Sequence, residues 1–273
     1  MHDMSVKWPN GARCAVMLTF DFDAETLWTS RNPDNANRPG VLSQGRYGAN
    51  VGVPKTLDTL EEAGLPATFF IPGWTVENHT GVCESILKAN HEVAHHSYSH
   101  KWVSDDPVAE VEEIEKGLDA LKSVLGVLPK GYRSPAGEVS PGLFKLLQKH
   151  GFLYNSSLMD TINPYRHVLE DGSKGPIELP WHWSLDDAPH ALFAVQISRP
   201  IFPNEHLMSI FREEFREIYR WGGLYNLILH PQVSGRPSRI ALLRDLIAFI
   251  RSFPDVWFAT GTDVARAWSA EYE

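Results

Sequence analysis

Residues Val16-Met17-Leu18-Thr19-Phe20-Asp21-Phe22-Asp23 form an apolar run that ends in two acids. The apolar part predicts a buried β-strand, and the acids stand where that strand should pass into a loop. Because side chains alternate along an extended chain, Asp21 and Asp23 should face the same side. Two acids at the end of an apolar strand, with no basic partner nearby in sequence, favour a functional site over a solvated turn.

Strand-like and helix-like segments alternate along the rest of the chain. Short apolar segments predict strands at residues 67–71, 91–95, 131–135, 153–156, 177–180, 224–229 and 256–259. Amphipathic segments predict helices at residues 53–63, 82–89, 107–125, 141–149, 205–219, 240–251 and 265–272. Between residues 26 and 50 the chain is polar and is punctuated by proline and glycine, which predicts a long loop.

This alternation predicts the fold class, which is α/β. Seven or eight strand–helix units without a linker, repeat or low-complexity segment indicate a parallel β/α barrel. We expect residues 1–273 to form a single catalytic domain. A doubly wound open sheet is the alternative, but no G-x-G-x-x-G motif follows a strand.

Composition and charge exclude several classes of function. The net charge of -9, from 25 basic and 34 acidic residues, disfavours a nucleic-acid partner. No stretch approaches the roughly 20 apolar residues of a membrane span, and residues 1–9 lack the pattern of a signal peptide. Cys14 and Cys83 are far apart in sequence, as expected for free thiols in a reducing compartment. We therefore expect a cytoplasmic protein.

Metal-ligating and catalytic residue types follow several of the predicted strands. They are Asp21, Asp23, His96, His100, Arg133 and His230. Barrel enzymes carry their chemistry at the carboxyl ends of the strands, so this distribution predicts an enzyme. If the chain turns helical after residue 95, His96 and His100 lie at positions i and i+4 and can share a metal ion. An isolated H-x-x-x-H is more often a solvated loop, and the other strand-end residues reverse that interpretation.

Two histidines and a carboxylate are the ligands of an open, hydrolytic metal site rather than a closed structural one. We predict Asp23 as the third ligand beside His96 and His100, and Asp21 as the general base. An ion held in this way can acidify a water molecule and polarise the scissile carbonyl. The ligand set favours zinc as the one divalent ion, and also suits cobalt, nickel or manganese.

At these residues the sequence resembles the polysaccharide deacetylase superfamily of metal-dependent carbohydrate esterases and amidases. The matching motifs, in the order of that family, are Thr19-Phe20-Asp21-Phe22-Asp23, His96-Ser97-Tyr98-Ser99-His100, Arg133-Ser134-Pro135 and Ile228-Leu229-His230. The resemblance spans roughly residues 15–260 and implies the distorted β/α barrel of that family.

The resemblance also implies roles for individual residues. Arg133 would hold the base Asp21, and His230 would protonate the leaving nitrogen. The backbone N–H of Ala136 would join the metal in an oxyanion hole. Asp186 or Asp187 would orient His230, with the choice between them open. Trp183, which lies near these motif loops, is a candidate substrate contact, although packing is the commoner role of a tryptophan.

Two departures from the family pattern bear on the substrate. Phe22 separates the two aspartates, as in a leaderless subgroup with peptidoglycan deacetylase-like, allantoinase-like and cyclic imide hydrolase members. Ala136 stands where many sugar deacetylases carry an aromatic residue, which argues against a long sugar-binding groove.

We therefore expect a divalent-metal-dependent hydrolase of non-peptide carbon–nitrogen bonds that acts on a small cytosolic cyclic amide, imide or ureide. The first alternative is an N-deacetylase of N-acetylated sugars or peptidoglycan. The second is a non-catalytic carbohydrate-binding module, against which the intact set of Asp21, Arg133 and His230 argues. The expected partner is a small-molecule amide substrate, without nucleic acid or membrane. A homo-oligomer is expected from the leaderless subgroup.

Overall fold

The computed structural model of the protein describes residues 5–194 and 200–273. Its strands are β1 (Cys14–Asp21), β2 (Thr68–Ile71), β3 (Glu92–His95), β4 (Gly131–Tyr132), β5 (Tyr154–Asn155), β6 (Tyr165–Val168), β7 (Lys174–Glu178), β8 (Leu224–Leu229) and β9 (Val256–Phe258). Its α-helices are α1 (Thr26–Thr29), α2 (Pro39–Tyr47), α3 (Val53–Ala63), α4 (Gly73–Asn78), α5 (Thr80–Lys88), α6 (Pro107–Leu125), α7 (Leu143–Lys149), α8 (Ala188–Ala191), α9 (Asn204–Trp221), α10 (Pro231–Ser234), α11 (Pro237–Arg251) and α12 (Gly261–Tyr272). Residues 1–4, part of the N-terminal segment on which the signal-peptide expectation rests, lie outside the described residues.

The described strands form one curved sheet with the order β6-β7-β5-β4-β3-β2-β1-β8, and β9 pairs with the start of β1. From β7 along this order to β8, each pair of neighbouring strands is parallel. Helices separate these strands in the chain, except between β5 and β7, where β6 intervenes. The predicted α/β barrel-type fold is therefore confirmed. Strand β1 pairs with β2, β8 and β9, and all eight of its residues are buried. Its acidic end is therefore surrounded by other elements of the fold.

A hairpin of β6 and β7 departs from the all-parallel prediction. The two strands are antiparallel, with Tyr165 opposite Glu178. The turn between them contains Asp171 and Gly172, and Gly172 has a φ of 80°. An Asp-Gly pair between two strands is a strong sequence signal for a hairpin, because glycine tolerates the positive φ that the turn requires.

The long loop predicted for residues 26–50 is wrong, because this segment is largely helical. It contains α1, a 3-10 helix at Pro33–Asn37, α2 and the start of a π-helical turn at Gly48–Gly52. Pro39 opens α2 at a position where a missing N–H costs nothing.

Glycines in this helical segment allow close packing rather than a loop. A Cβ at Gly45 would lie 2.6 Å from the backbone of Glu25, and one at Gly52 would lie 2.1 Å from the carbonyl oxygen of Pro231. The segment therefore packs over the ends of β1 and β8. Among residues 5–194 and 200–273, no helix combines the length and the apolar character needed to cross a bilayer.

Asn226 lies on β8, at one end of the sheet order, and contacts the chain that follows β7, near the other end. Its buried Nδ2 lies 3.2 Å from the oxygen of Leu179 and 3.1 Å from that of Pro180. It also donates to Ser156 Oγ at 3.1 Å. A backbone bridge between Asp186 and Ile228 extends this seam. The Asn226 side chain thus donates to the carbonyl of Pro180 and shares the carbonyl of Leu179 with Ser156 Oγ, which donates to it at 2.8 Å.

We expect Asn226→Ala to lower the free energy of unfolding by about 1–3 kcal/mol, because the carbonyl of Pro180 loses its donor and that of Leu179 loses one of two. Chemical denaturation monitored by circular dichroism measures the change. Asn78→Ala is the matched control, because Asn78 also donates to a carbonyl, that of Trp74, but at an exposed position. An equal loss in both variants would contradict the assigned role of Asn226.

Candidate active site

The ends of β1 and β3 bring Asp23, His96 and His100 together. Asp23 Oδ1 lies 3.5 Å from His96 Nε2 and 3.6 Å from His100 Nε2. All three side chains are buried. Ligand atoms about 2.1 Å from a tetrahedrally coordinated ion lie about 3.4 Å apart, so the spacing fits a metal site.

The two histidines have free ring nitrogens on the side of Asp23. His96 Nδ1 donates to the carbonyl oxygen of Arg133 at 2.7 Å, which leaves the lone pair of Nε2 for a ligand. Burial lowers the pKa of His96 and lowers that of His100 well below its usual value. Neutral imidazoles are the form that binds metal ions.

Asp23 provides the clearest indication that a cation belongs here. Its Oδ1 is buried and has no hydrogen-bond partner among the described residues. Burial raises the pKa of Asp23 to about 8, against the opposing charge of His230. A buried carboxylate oxygen without a partner is costly, and a divalent cation would remove that cost. The residues present therefore fit a divalent metal ion.

The loop that carries the two histidines is an irregular turn, so the helical geometry considered for His96 and His100 is wrong. Ser97 and His100 have φ values of 59° and 60°. Ser97 Oγ accepts a hydrogen bond from the backbone N–H of His100 at 3.0 Å. His95 anchors the turn to α6. Its Nδ1 accepts a hydrogen bond from the N–H of Ser97, and its Nε2 donates to the carbonyl oxygen of Ile114.

Glu113 on α6, which the sequence analysis missed, holds the same loop. Its Oε2 accepts from the backbone N–H groups of Tyr98 at 3.0 Å and Ser99 at 2.7 Å, and its Oε1 accepts from Ser99 Oγ at 2.6 Å. Nothing in the local sequence separates Glu113 from the other acids of α6. Only the packing of α6 against this loop selects it.

We expect Glu113→Gln to weaken zinc binding about tenfold, because one amide oxygen cannot accept all three of these bonds and the loop that carries His100 loosens. Competition against a chromogenic chelator gives the dissociation constant. Glu112→Gln, at the neighbouring exposed position, should bind zinc as the wild type does. Unchanged affinity in Glu113→Gln would show that the loop holds its shape without this carboxylate.

Arg133 and Asp21 form a buried ion pair on one side of the three ligands. Arg133 Nη1 lies 2.7 Å from Asp21 Oδ1, and its guanidinium also donates to Thr19 Oγ1 and to Ser156. Burial acts to raise the pKa of Asp21, but the charges of Arg133 and of nearby histidines outweigh it and lower the pKa. Asp21 Oδ2 lies 3.7 Å from His96 Nε2, so the ionised carboxylate faces the ligand cluster.

His230 lies on the other side, at the end of β8. Its Nδ1 is 2.7 Å from Asp187 Oδ1, and its Nε2 is 3.7 Å from Asp23 Oδ2. Asp187 Oδ2 accepts from the N–H of His230 at 3.0 Å and from Ser234 Oγ. Burial acts to lower the pKa of His230, but the carboxylates of Asp186 and Asp187 raise it well above its usual value.

The structure distinguishes the two acids that the sequence left open. Asp187 bonds directly to the His230 ring, whereas Asp186 Oδ1 lies 3.7 Å from the same Nδ1 and accepts instead from the N–H of Ala188 at 2.7 Å. Asp187 is therefore the partner of His230. Asp186, Asp187 and the ring of His230 lie close enough together to hold an ion. The direct hydrogen bond between Nδ1 and Asp187 indicates instead that the carboxylate orients the histidine.

Ala136 and Trp183, the two predicted substrate contacts, lie at the edge of the site. Ala136 follows β4 with a φ of 56°, an uncommon left-handed conformation for alanine. Trp183 is 39% exposed and meets Trp181 edge-on, with ring centroids 4.7 Å apart. Trp181 in turn packs against Gly137, so the tryptophan pair borders the turn of Ala136. Their contacts with substrate stay predictions.

Gln232 is a further site residue that sequence reasoning missed. Its Nε2 donates to Asp23 Oδ2 at 3.3 Å, on the side of the carboxylate that faces His230. It follows His230 by two residues, and only the short helix α10 turns it back toward the site.

A model of the polysaccharide deacetylase family matches residues 10–154, which include the first three motifs of the site. The chain belongs to this family. It is 28% identical to the peptidoglycan deacetylase of Helicobacter pylori, over 92% of this chain and 94% of that protein. The family and this relative support a deacetylase-type hydrolase that acts on carbon–nitrogen amide bonds.

Solved structures of the family confirm the fold. A protein from Mycobacterium smegmatis, described as a candidate polysaccharide deacetylase, superposes with a TM-score of 0.94 at 40% identity, over 98% of this chain and 94% of that one. The allantoinase Puue superposes with a TM-score of 0.85 at 22% identity, over 97% and 93% of the two chains. At that identity the second likeness concerns the fold alone.

Proposed function

We propose that this protein is a divalent-metal-dependent hydrolase that opens the carbon–nitrogen bond of a small cyclic amide, imide or ureide. The observation that carries the proposal is the placement of a base and an acid on opposite sides of three metal ligands. Asp21 approaches His96 on one side, and His230 approaches Asp23 Oδ2 on the other.

Asp21 acts as the general base in this proposal. Its Oδ1 is occupied by Arg133, so Oδ2 is the oxygen that accepts a proton from the attacking water. The ion pair with Arg133 keeps the carboxylate ionised and fixes its orientation. Arg133 is itself held by Ser156, which prevents the base from turning away from the site.

His230 acts as the general acid. Asp187 accepts a hydrogen bond from Nδ1–H and stabilises the imidazolium, so Nε2–H is the proton donor that faces the site. When the carbon–nitrogen bond breaks, the nitrogen takes this proton and leaves as an amine or amide. In a cyclic substrate the same step opens the ring.

Asp23, His96 and His100 would hold the ion, with zinc favoured and cobalt, nickel or manganese suited to the same ligands. When bound, the ion supplies Lewis-acid chemistry, acidifying the water and polarising the carbonyl. The backbone N–H of Ala136 is the protein donor that would stabilise the oxyanion, and the left-handed conformation of that residue is consistent with a constrained functional turn.

Two observations support a small substrate. Ala136 leaves the edge of the site without the aromatic side chain that many sugar deacetylases carry there. The helical segment between β1 and α3 packs against Pro231 and covers the ends of β1 and β8, which favours an enclosed pocket over an open groove. The N-deacetylase alternative has about equal support, because the Helicobacter pylori relative that matches nearly the whole chain is named a peptidoglycan deacetylase.

A turnover screen of the zinc-loaded protein separates these two substrates. We expect ring opening of at least one of succinimide, phthalimide, hydantoin and allantoin. The loss of ultraviolet absorbance or chromatography measures the reaction. Release of acetate from N-acetylglucosamine oligomers alone would support the alternative instead. Removal of the metal with a chelator should abolish turnover and zinc should restore it, so full activity of the metal-free protein would contradict the mechanism.

Once a substrate is known, two variants distinguish the role of Asp21 as the general base from the role of His100 as a metal ligand. Asp21→Asn should retain one equivalent of zinc and lose activity about a hundredfold or more, because the proton acceptor is absent. His100→Ala should lose both zinc and activity. Metal content after dialysis is measured by mass spectrometry beside the steady-state rate. Full activity in Asp21→Asn, or a full equivalent of zinc in His100→Ala, would show that these roles are wrong.

A further inference from the structure

An open cavity of about 600 Å³ adjoins the His230 side of the site. Its wall is formed by α2, by residues around α8, and by α10 with the start of α11. Gln232 lines the cavity and its Nε2 donates to Asp23 Oδ2, so one side chain lies between the cavity and a predicted metal ligand. A substrate that reaches past Gln232 would enter this space.

The cavity is positively charged although the protein as a whole is acidic. Among the described residues of its wall there are two arginines, Arg236 and Arg239, and no aspartate, glutamate or lysine. The whole chain carries a net charge of -9. A cavity of opposite sign to the rest of the protein concentrates anions.

The two arginines differ in what they bind. Arg239 is buried and donates to Asn204 Oδ1 at 2.6 Å and to the carbonyl oxygen of Phe202 at 2.5 Å, so its role is structural. Arg236 is exposed to the cavity, and its guanidinium forms no ion pair with a carboxylate of the described residues. Among the described residues of the wall, Arg236 is therefore the cation that is available to a ligand.

The guanidinium of Arg236 is also held in place before any ligand binds. Its Cζ lies 4.5 Å from the centre of the Tyr47 ring. The hydroxyl of Tyr47 donates to the carbonyl oxygen of Gly235 at 3.1 Å, which fixes the plane on which the guanidinium stacks. A guanidinium that stacks on a fixed aromatic ring loses little conformational entropy when it binds a carboxylate with two hydrogen bonds.

We propose that Arg236 is a specificity-determining residue that binds a carboxylate of the substrate, so that the preferred substrates are small amides carrying an anionic group away from the scissile bond. This inference rests on the proposed amide hydrolase function and narrows its substrate class. Trp28 lines the same cavity and provides an apolar wall for the part of the molecule between the amide and the carboxylate.

Binding is measured by calorimetry in the Asp21→Asn background, so that the probes are not consumed. Two pairs of probes each compare a carboxylate with a neutral analogue. The first pair is hydantoin-5-acetate with its methyl ester, and the second is N-acetylmuramate with N-acetylglucosamine. We expect the anionic member of at least one pair to bind about tenfold or more tightly, and the additional Arg236→Gln substitution to remove that preference while leaving the neutral probe unchanged.

Arg216→Gln is the matched control, because Arg216 also stacks its guanidinium on an aromatic ring, that of Phe249, but does not line the cavity. It should retain the preference for the carboxylate. Equal binding of the charged and neutral probes by the Asp21→Asn protein, no binding of either carboxylate, or an equal loss for both probes in Arg236→Gln would overturn the proposal. The proposed function itself fails separately, if the wild type opens none of the cyclic amides, imides and ureides in the screen.

Discussion

Arg133 brings a full positive charge into the interior of the sheet, where its side chain is 1% exposed. It pairs with Asp21, donates to Ser156 and stacks on Phe70 with its Cζ 4.0 Å from the ring centre. Its carbonyl oxygen also orients His96. One residue therefore positions both the proposed base and one metal ligand. A buried ion pair of this kind contributes little net stability, but removing one partner leaves an uncompensated buried charge.

The opposite side of the site is built on a second buried charge. His230 and Asp187 form a hydrogen-bonded pair that Ser234 completes. Between the two sides, Asp23 directs one oxygen toward the histidine ligands and the other toward His230 and Gln232. The carboxylate that would bind the metal thus also separates the proposed proton acceptor from the proposed proton donor, an arrangement that suits amide hydrolysis.

Much of the site could be predicted because its residues follow apolar strands. Residues at the carboxyl ends of parallel strands meet at one edge of the sheet, so alternation and strand order sufficed to bring Asp21, Asp23, His96 and Arg133 together. Glu113 could not be found in this way, since it lies on the following helix and acts on the loop only through hydrogen bonds to Tyr98 and Ser99. The prolines and glycines of residues 26–50 predicted a loop where there are helices, for a related reason. They allow helices to pack closely there, and the contacts that show this are with distant residues such as Pro231.

The sequence by itself determined the described strands other than β6, the longer helices from α3 onward, the family and the chemical types of the site residues, because these depend on local periodicity and on short motifs. Tertiary structure decided which of Asp186 and Asp187 bonds to His230, since both follow the same turn and only the direction of each side chain separates them. It also decided the charge of the cavity, because Arg236 comes to face Tyr47 across 189 positions of the chain only after α2 packs beside α10. Side-chain direction and long-range packing leave no local pattern from which they could be inferred.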